Sequence, residues 1–513
     1  MRQSFEKERS KMLATAFRYL AVFLSLALST STALSTETTS SIKGRVYGGE
    51  NVVANASVVI TDQRTGRSRS VTTNEAGVFF ASKLSVGGPY LVVVNDSTSV
   101  TIDSLALGDV YDLDIQTAST EELVIVTATR DAVIDVAPGP TASYGIYDLD
   151  RAVAQDRDIQ EVFSLDPRLN LDTDNRGYAV NCMGKHPRFN TVTLDGVRYS
   201  DLFGLNSNGY STAVGMPFPY DAIQQVAVQL SPFTSKYGGF SACNINAVTR
   251  KGSNEWNGNV LYEYTSDEWD VLGSEWRMRG DTFDGEDYNV NPYEEKKYGF
   301  ALRGALIENR LFVSAAYEFE ESPRAIGQGY AGSGIGDERS WLSEETFDLI
   351  SDTAQSLFGY DAGGAPSDGA QEATKYFGRI DYLINDQHEV SVVYNYFDGF
   401  QDRASDSDSD EFEYANHFYV KGAEQETISG RLISKWNDQL STEVFYASSE
   451  MFDSQTTVGP KEIGDHQISL ASGDTVYLGA DDSRQANKLE YATDYIRLEA
   501  QYATGNHVVS VGY

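Results

Sequence analysis

The fold of this chain is indicated most clearly by residues 221–258, which read DAIQQVAVQLSPFTSKYGGFSACNINAVTRKGSNEWNG. This stretch contains a strand-like run at Ile223–Val228, a turn region that ends in Tyr237–Gly239, and a second strand-like run that ends at Asn246–Thr249. Apolar runs bounded by glycine, proline and other turn residues are typical of β-strands. The stretch therefore predicts two strands joined by a turn, and the character of the sequence changes on either side of them.

On the C-terminal side, from Asn254 onward, apolar and polar residues alternate. The apolar members of 298–306 share one face of a strand, and Lys297 and Arg303 belong to the other face. The segments that repeat this pattern are 311–320, 375–384, 389–396, 427–436 and 496–502. A period of two places alternate side chains on opposite faces, so that one face meets lipid and the other a polar lumen.

The connections between these segments alternate in length. Short ones fall near 308–309, 385–386, 437–438 and 505–506, whereas long acidic ones fall near 267–295, 321–373, 399–424 and 452–488. Short turns at one end and long loops at the other are typical of a transmembrane β-barrel. The sequence therefore predicts a mainly β fold in which residues 253–513 form an antiparallel transmembrane β-barrel. An amphipathic helix is expected over 341–358, within the second long loop.

The opening stretch resembles the end of the plug domain of TonB-dependent outer-membrane receptors, in which two strands and a turn lead into the barrel. The residues that stand at the points of the family pattern are Pro232, Tyr237, Gly238, Gly239, Asn246, Val248, Thr249 and Gly252. The run 188–197, which ends in an Asp-Gly turn, resembles another strand of that domain. The resemblance implies an α+β plug domain at residues 129–252, ahead of the barrel.

The segment 121–128, EELVIVTA, resembles the TonB box of the same family. That box is an extended peptide that pairs as an added strand with an energy transducer anchored in the inner membrane. The residues that the resemblance assigns to this contact are Glu122, Leu123, Val124, Ile125, Val126, Thr127 and Ala128. An ordinary sheet strand is the alternative, but the position of the run between two domains favours the TonB box.

Residues 41–117 consist of short β runs separated by turn residues, and this spacing predicts a small β-sandwich. The segment resembles the carboxypeptidase-regulatory-like domain that precedes the plug in some receptors, which implies a binding or spacer module and not a peptidase. Cysteine-containing motifs at 181–184 and 241–244 depart from the commonest plug pattern and resemble an Oar-like subgroup of the family.

Residues 1–33 are typical of a signal peptide, with a basic region, a short apolar run at 20–28 and small residues at 31–33. The apolar run is shorter than the roughly 20 residues that a membrane-spanning helix needs. Met12 is an alternative start. Export and the family resemblance together imply the cell outer membrane of a Gram-negative bacterium, with the N-terminal domain in the periplasm.

Cys182 and Cys243 are the only two cysteines of the chain. Both fall inside the predicted plug of an exported protein, and the periplasm is oxidising, so a disulfide between them is predicted. Closing a loop of this length stabilises a fold by about 4 kcal/mol in the chain-entropy account. Two free buried thiols are the alternative.

The number of barrel strands is smaller than a plug requires. The pattern contains eight complete strands and the start of a ninth at His507. An eight-stranded barrel is filled by its own side chains, whereas plugged transporters use about 22 strands. The chain is therefore expected to be an N-terminal fragment with an incomplete barrel. A genuine terminus at Tyr513 is the alternative.

Composition and motifs argue against other classes of protein. The formal net charge is −35, and nucleic acid demands a basic face, so no nucleic-acid partner is expected. No phosphate-binding loop or nucleophile motif is found, so no enzyme and no cofactor are predicted. The histidines are dispersed without metal-ligand spacing at 186, 388, 417, 466 and 507, and no metal site is predicted. The acidic run 406–411 suits Ca²⁺ in its alternation but lacks the glycine and distal glutamate of an EF-hand loop, so a solvated loop is favoured.

The sequence thus predicts an outer-membrane receptor for energised, TonB-dependent uptake of a scarce ligand such as a siderophore, glycan or peptide. The expected partners are a TonB-type energy transducer, the small-molecule, glycan or peptide ligand, and outer-membrane lipid. The residues expected to contact the ligand, from segments that match the family's plug apices, are Tyr178, His186, Arg188, Asn206, Asn208 and Tyr210. The alternative is an Oar-like surface adhesion or secretion-accessory protein without transport activity.

Overall fold

A computed structural model describes residues 37–117, 126–127, 141–152, 154, 156–163, 166–172, 179–203, 206, 208–230, 237–266, 294–324, 326–481, 487–505 and 507–513. The predicted signal peptide at 1–33 lies outside these residues, as does the first long loop at 267–293. No helix in the described part of the chain is both long enough and apolar enough to cross a membrane. Strands dominate, which confirms the predicted mainly β fold.

The N-terminal part is a β-sandwich. Its strands are β1 Ser40–Gly48, β2 Asn51–Val52, β3 Ser57–Asp62, β4 Ser68–Thr72, β5 Val78–Leu84, β6 Tyr90–Val94, β7 Thr98–Ile102, β8 Val110–Thr117 and β9 Val126–Thr127. In one sheet β1 pairs with β2, β5 and, in parallel, β8. The other sheet has the order β4-β3-β6-β7-β9. Alternate side chains, among them Ile42, Val46 and Val92, form one solvent-free core between the sheets.

A second, mixed domain follows within the predicted plug region, and we call it the plug. Its elements are β10 Thr141–Gly145, α1 Ile146–Arg151, α2 Ile159–Val162, β11 Leu169–Asp172, β12 Ala179–Cys182, β13 Thr191–Leu194, β14 Val197–Arg198, β15 Ile223–Gln229 and β16 Asn244–Thr249, with 3₁₀ turns at Pro187–Phe189 and Tyr220–Ala222. The main sheet has the order β10-β15-β16-β13-β14. The opening stretch supplies β15 and β16, which pair antiparallel. Nearly all residues of these two strands are buried, because the sheet is covered on both faces.

The end of this domain lies directly against the strands that follow. A Cβ atom at Gly252 would meet the carbonyl oxygens of Gly304 and Val313 at 2.6 and 2.7 Å. Real Cβ atoms do not approach backbone oxygens so closely, so only glycine fits. The glycine that closes the opening motif is therefore required by close backbone packing.

The remaining elements, in chain order, are β17 Asn257–Ser266, β18 Glu294–Ile307, β19 Leu311–Arg324, β20 Gln328–Tyr330, β21 Asp337–Arg339, α3 Glu344–Phe358, β22 Gly369–Leu383, β23 His388–Arg403, β24 Glu411–Glu413, β25 Tyr419–Lys435, β26 Leu440–Thr457, β27 His466–Ser469, β28 Thr475–Leu478, β29 Lys488–Thr504 and β30 His507–Gly512. Nine of these strands form one antiparallel sheet in the order β17-β18-β19-β22-β23-β25-β26-β29-β30. Every neighbour in this sheet is also the next long strand in sequence, which is the connectivity of an up-and-down barrel. We call this nine-stranded sheet the wall.

The two faces of the wall differ as the alternation predicts. Val260 is 85% exposed and Val511 is 68% exposed on the apolar face. The charged side chains of Lys297, Glu318 and Lys375 lie on the opposite face and are buried against the plug. An apolar outer face and a polar inner face are what a lipid-embedded wall requires.

The long connections pack together beyond one end of the wall. Residues 326–368, 404–418 and 458–481, here called the loop cap, share an apolar core. The predicted helix forms as α3: Ser343 caps it by accepting a hydrogen bond from the Thr346 N–H at 3.2 Å. The helix ends at Gly359, whose φ of 63° is left-handed.

The β-sandwich contacts the opposite end of the wall, where the short turns lie. The Asn254 N–H donates to the Arg64 carbonyl at 2.9 Å. The Asn74 side chain donates to the Gly505 carbonyl at 3.1 Å. We call this contact region the turn-side junction.

Candidate functional site

The predicted TonB box lies partly within the described residues. Glu122, Leu123, Val124, Ile125 and Ala128 lie outside them. Val126 and Thr127 form β9, which pairs in parallel with Val100 and Thr101 of β7. The backbone of this short piece adds a strand to the edge of the β-sandwich, as the alternative of an ordinary sheet strand predicts for these two residues. The assignment of the TonB box stays a prediction.

Three of the predicted ligand contacts are buried inside the plug. The side chains of Asn206 and Asn208 donate to the carbonyls of Ser211 and Thr212 at 2.8 and 2.9 Å. Both asparagines are at most 5% exposed. Buried polar groups need such partners, so these side chains brace their own loop.

Tyr210 is fully buried and donates its hydroxyl to Asp158 Oδ1 at 2.6 Å. The prediction that Asn206, Asn208 and Tyr210 contact a ligand is therefore corrected, because their polar groups are turned inward. His186 and Arg188 are exposed and remain predicted ligand contacts. Tyr178 lies outside the described residues.

The disulfide holds the exposed segment that carries His186. Cys182, at the end of β12, is bonded to Cys243, which precedes β16, and their Cα atoms are 5.9 Å apart. The Asn190 amide donates to the Val180 carbonyl at 2.8 Å, and its oxygen accepts the Cys243 N–H at 3.1 Å. The segment between β12 and β13, which carries His186, is therefore held at one end by the disulfide and at the other by the Asn190 side chain.

Apolar side chains stand out of the plug near the predicted ligand segments. Met183, Phe189 and Phe203 are 67%, 48% and 56% exposed. Phe203 contacts Tyr491, whose ring centroid is 5.2 Å away, near the start of β29. This end of β29 follows the fourth long loop, so Phe203 faces the end of the wall that carries the loop cap. Sequence reasoning chose the polar residues of these segments and missed the exposed apolar ones.

The plug is held to the wall by buried ion pairs. Arg157 donates to Glu318 on β19 at 2.8 Å and to Asp221 at 2.7 Å. The Lys375 ammonium on β22 approaches Glu318 at 2.9 Å and Glu320 at 2.7 Å. Charges removed from water need such partners, so the inner face of the wall and the plug are matched in charge.

A second polar contact between plug and wall uses two residues of the family motifs. Asp195, in the Asp-Gly turn, accepts the Thr249 N–H at 3.1 Å and the Thr249 hydroxyl at 2.5 Å. Arg379 on β22 donates to Thr249 at 2.9 Å and to Asp381 through two nitrogens, at 2.7 and 2.8 Å. The Arg–carboxylate pair is bidentate, which fixes the geometry of the guanidinium. The motif residues thus align the end of the plug with the wall.

The turn-side junction is also charged. The Lys83 ammonium lies 2.8 Å from Glu443 and 2.7 Å from Glu499, and all three side chains are nearly buried. Burial lowers the pKa of Lys83, but Glu37, Glu443 and Glu499 raise it by more, so the pKa lies above the ordinary lysine value. Lys83 has a φ of 59°, which is uncommon for a residue with a side chain and persists because its contacts fix it.

A cavity of about 480 Å³ separates the β-sandwich from the plug and the short-turn end of the wall. Its walls are rich in cationic side chains, namely Arg64, Lys83, Lys251, Arg303, Arg379 and Arg431. The carboxylates among its lining residues are Asp62, Asp195, Glu255 and Glu389. The cavity is a polar space with more cationic than anionic side chains along its walls.

Comparisons with known proteins agree with this architecture. The profile of the carboxypeptidase regulatory-like domain matches residues 41–118, the β-sandwich. The TonB-dependent transporter Oar of Myxococcus xanthus is 25% identical over 241 residues, which cover 47% of this chain and 21% of Oar. An iron-regulated outer membrane virulence protein of Vibrio cholerae serotype O1 is 26% identical over 182 residues, which cover 35% of this chain and 27% of that protein.

These similarities support a TonB-dependent receptor with a relation to Oar. Among solved structures, the outer membrane transporter YddB of Escherichia coli aligns with a TM-score of 0.49 and 12% identity, covering 72% of this chain and 47% of that one. The chain spans about a quarter of the length of the curated relatives it matches. The relatives are outer-membrane transporters and receptors and not enzymes. They support a location of this chain in the outer membrane of a Gram-negative bacterium.

Proposed function

We propose that this receptor takes up a scarce ligand across the outer membrane, with the plug as the gate and a TonB-type transducer as the source of energy. The observation that carries the proposal is the charged seam between plug and wall, centred on Arg157 and Arg379. Ion pairs in a polar seam exchange with water when the plug shifts, whereas an apolar seam would expose surface that water cannot satisfy.

The ligand enters from the end of the wall that carries the loop cap, and the β-sandwich lies on the periplasmic side. The ligand contacts the plug at the exposed residues His186 and Arg188. The apolar side chains of Met183, Phe189 and Phe203 lie beside them. A surface of this composition suits an amphipathic ligand with negatively charged or hydrogen-bonding groups. A siderophore, a glycan and a peptide all meet this description in part.

The transducer binds the segment Glu122–Ala128 as an added strand. The test replaces Val124, Ile125 and Val126 by Gly, Pro and Gly in the full-length receptor. Glycine disfavours the strand conformation, and proline removes a backbone N–H that strand pairing needs. Growth under iron limitation is the first condition to measure, since the Vibrio relative is named as iron-regulated. We expect the variant to grow like a strain that lacks the receptor.

The matched control exchanges the same three residues for Ile, Val and Ile, which keeps a β-branched strand and is expected to keep uptake. A receptor-dependent phenotype that survives both the Gly-Pro-Gly variant and deletion of the transducer would exclude energised uptake. That outcome would leave the surface-adhesion or secretion-accessory function.

A further inference from the structure

His417 is enclosed in the loop cap, at the end of the 3₁₀ turn Ala415–His417, and is 0% exposed. Its ring packs 5.7 Å from the ring of Tyr477. Its Nδ1 lies 2.8 Å from the carbonyl oxygen of Gly479. A carbonyl oxygen only accepts, so Nδ1 carries a hydrogen and donates it. This contact fixes the ring and leaves Nε2 to meet the groups on its other side.

Carboxylates lie on that other side. Asp406 Oδ2 is 3.3 Å from His417 Nε2. Ligand atoms of Asp406, His417 and Asp481 all lie within 4.8 Å of one another. Donors that share a tetrahedral ion at about 2.0–2.2 Å are roughly 3.3–3.6 Å apart. The three side chains therefore need only a small contraction to hold one ion.

Glu413 supports this cluster from behind. It is fully buried, and one of its oxygens accepts the Ser405 N–H at 3.1 Å while the other accepts the Asp406 N–H. Its Oε2 also lies 3.9 Å from His417 Nε2. Glu413 thus fixes the backbone that carries Asp406, in the way that carboxylates around metal sites orient the ligands.

We propose that Asp406, His417 and Asp481 bind a divalent first-row transition-metal ion of the Zn²⁺ class, and that the ion ties the third long loop to the fourth. An imidazole with a fixed tautomer together with two carboxylates is a ligand set for such ions. Ca²⁺ and Mg²⁺ take oxygen ligands instead. None of these residues belongs to the plug or the TonB box, so the proposal does not depend on the uptake function.

The rival arrangement is an imidazolium–carboxylate ion pair that holds no metal. To separate the two, the full-length receptor is purified in detergent, stripped with a chelator and titrated with Zn²⁺ against a chromophoric competitor. We expect one tightly bound Zn²⁺ per chain that millimolar Ca²⁺ does not displace. His417→Gln and Asp481→Asn should each weaken binding by more than about 100-fold, since losing a ligand costs more than losing its support.

His466→Gln is the matched control, because His466 is an exposed histidine of the same loop cap and lies outside the cluster. Asp406→Asn adds a variant at a partly exposed side chain, which guards against loss of folding at the buried sites. A second readout is trypsin cleavage after the exposed Lys461, which Zn²⁺ should slow several-fold in the unchanged receptor and not in Asp481→Asn. Absence of Zn²⁺ binding, equal binding by His417→Gln, or displacement by Ca²⁺ would each overturn the proposal.

Discussion

The turn-side junction and the loop cap close opposite ends of the same strands with opposite chemistry. At the junction the β-sandwich meets the wall through ion pairs, such as Lys83 with Glu443, around a cavity of about 480 Å³. In the loop cap three long connections share a core in which Phe347, Phe412 and Tyr414 pack ring against ring. One end is therefore held by charge and the other by apolar burial.

This difference indicates which of the two ends opens more readily. The attraction within a buried ion pair is largely offset by the cost of removing both charges from water, so a charged contact separates at modest net cost. Burying apolar surface stabilises the closed state by roughly 25 cal/mol per Å². Exposing that surface again gains no favourable hydration to offset the loss. We therefore expect the β-sandwich to leave the wall more readily than the loop cap loses its fold.

The largest effect is expected at Phe412, which is 0% exposed and lies 5.7 Å from Phe347 and 5.3 Å from Tyr414, measured between ring centroids. Phe412→Ala should cost the loop cap about 3–5 kcal/mol, as emptying a buried aromatic site does. Trypsin cleavage after Lys461 should accelerate at least tenfold while the wall stays folded. Phe358→Ala, at a side chain 59% exposed, is the control and should change little. Equal cleavage in both variants would show that the cap is not held by its core.

The apolar end and the wall were accessible to prediction because their signals are local. The period-two alternation at 298–306 separates lipid-facing from lumen-facing side chains, and the amphipathic pattern over 341–358 predicts the helix that forms at Glu344–Phe358. Each of these signals rests on residues that are neighbours in sequence. The fold class and the order of the strands could therefore be predicted.

The charged and polar sites could not be predicted in the same way, because their partners are distant in sequence. Lys83 meets Glu443 across 360 positions, and no local pattern connects them. The inward turn of Asn206 and Asn208 depends on the carbonyls of a loop whose path the sequence does not specify. His417 gave no metal-ligand spacing because Asp481 comes from another loop and is brought near only by the fold of the cap.

The next effect in size is expected at the junction. Lys83→Met removes the ammonium from Glu443 and Glu499, although Glu443 keeps Arg497 as a partner. Leaving a buried charged group with fewer partners costs about 1–3 kcal/mol. The equilibrium constant for docking of the β-sandwich on the wall should therefore fall roughly tenfold. Cysteines introduced at Ser82 and Ser441, whose hydroxyl oxygens are 3.0 Å apart, report docking as the yield of a disulfide cross-link.

Lys43→Met is the matched control, since it removes a half-buried lysine on β1 of the same domain. It should leave the cross-link yield unchanged. A yield that falls equally in both variants would mean that the charge of the domain, and not the Lys83 contact, determines docking. A yield that falls in neither would mean that the small apolar contact of Val86 and Leu107 with the plug holds the β-sandwich in place.

The smallest effect is expected from salt. Raising the ionic strength from about 0.1 M to 1 M shortens the screening length from about 10 Å to about 3 Å, which weakens attraction between separated charges but hardly touches apolar packing. The cross-link between positions 82 and 441 should therefore form a few-fold more slowly at high salt, whereas trypsin cleavage after Lys461 should keep its rate. If cleavage accelerated as much as cross-linking slowed, the loop cap would depend on charge to the same extent as the junction. The two ends would then differ in residues but not in the physics that holds them closed.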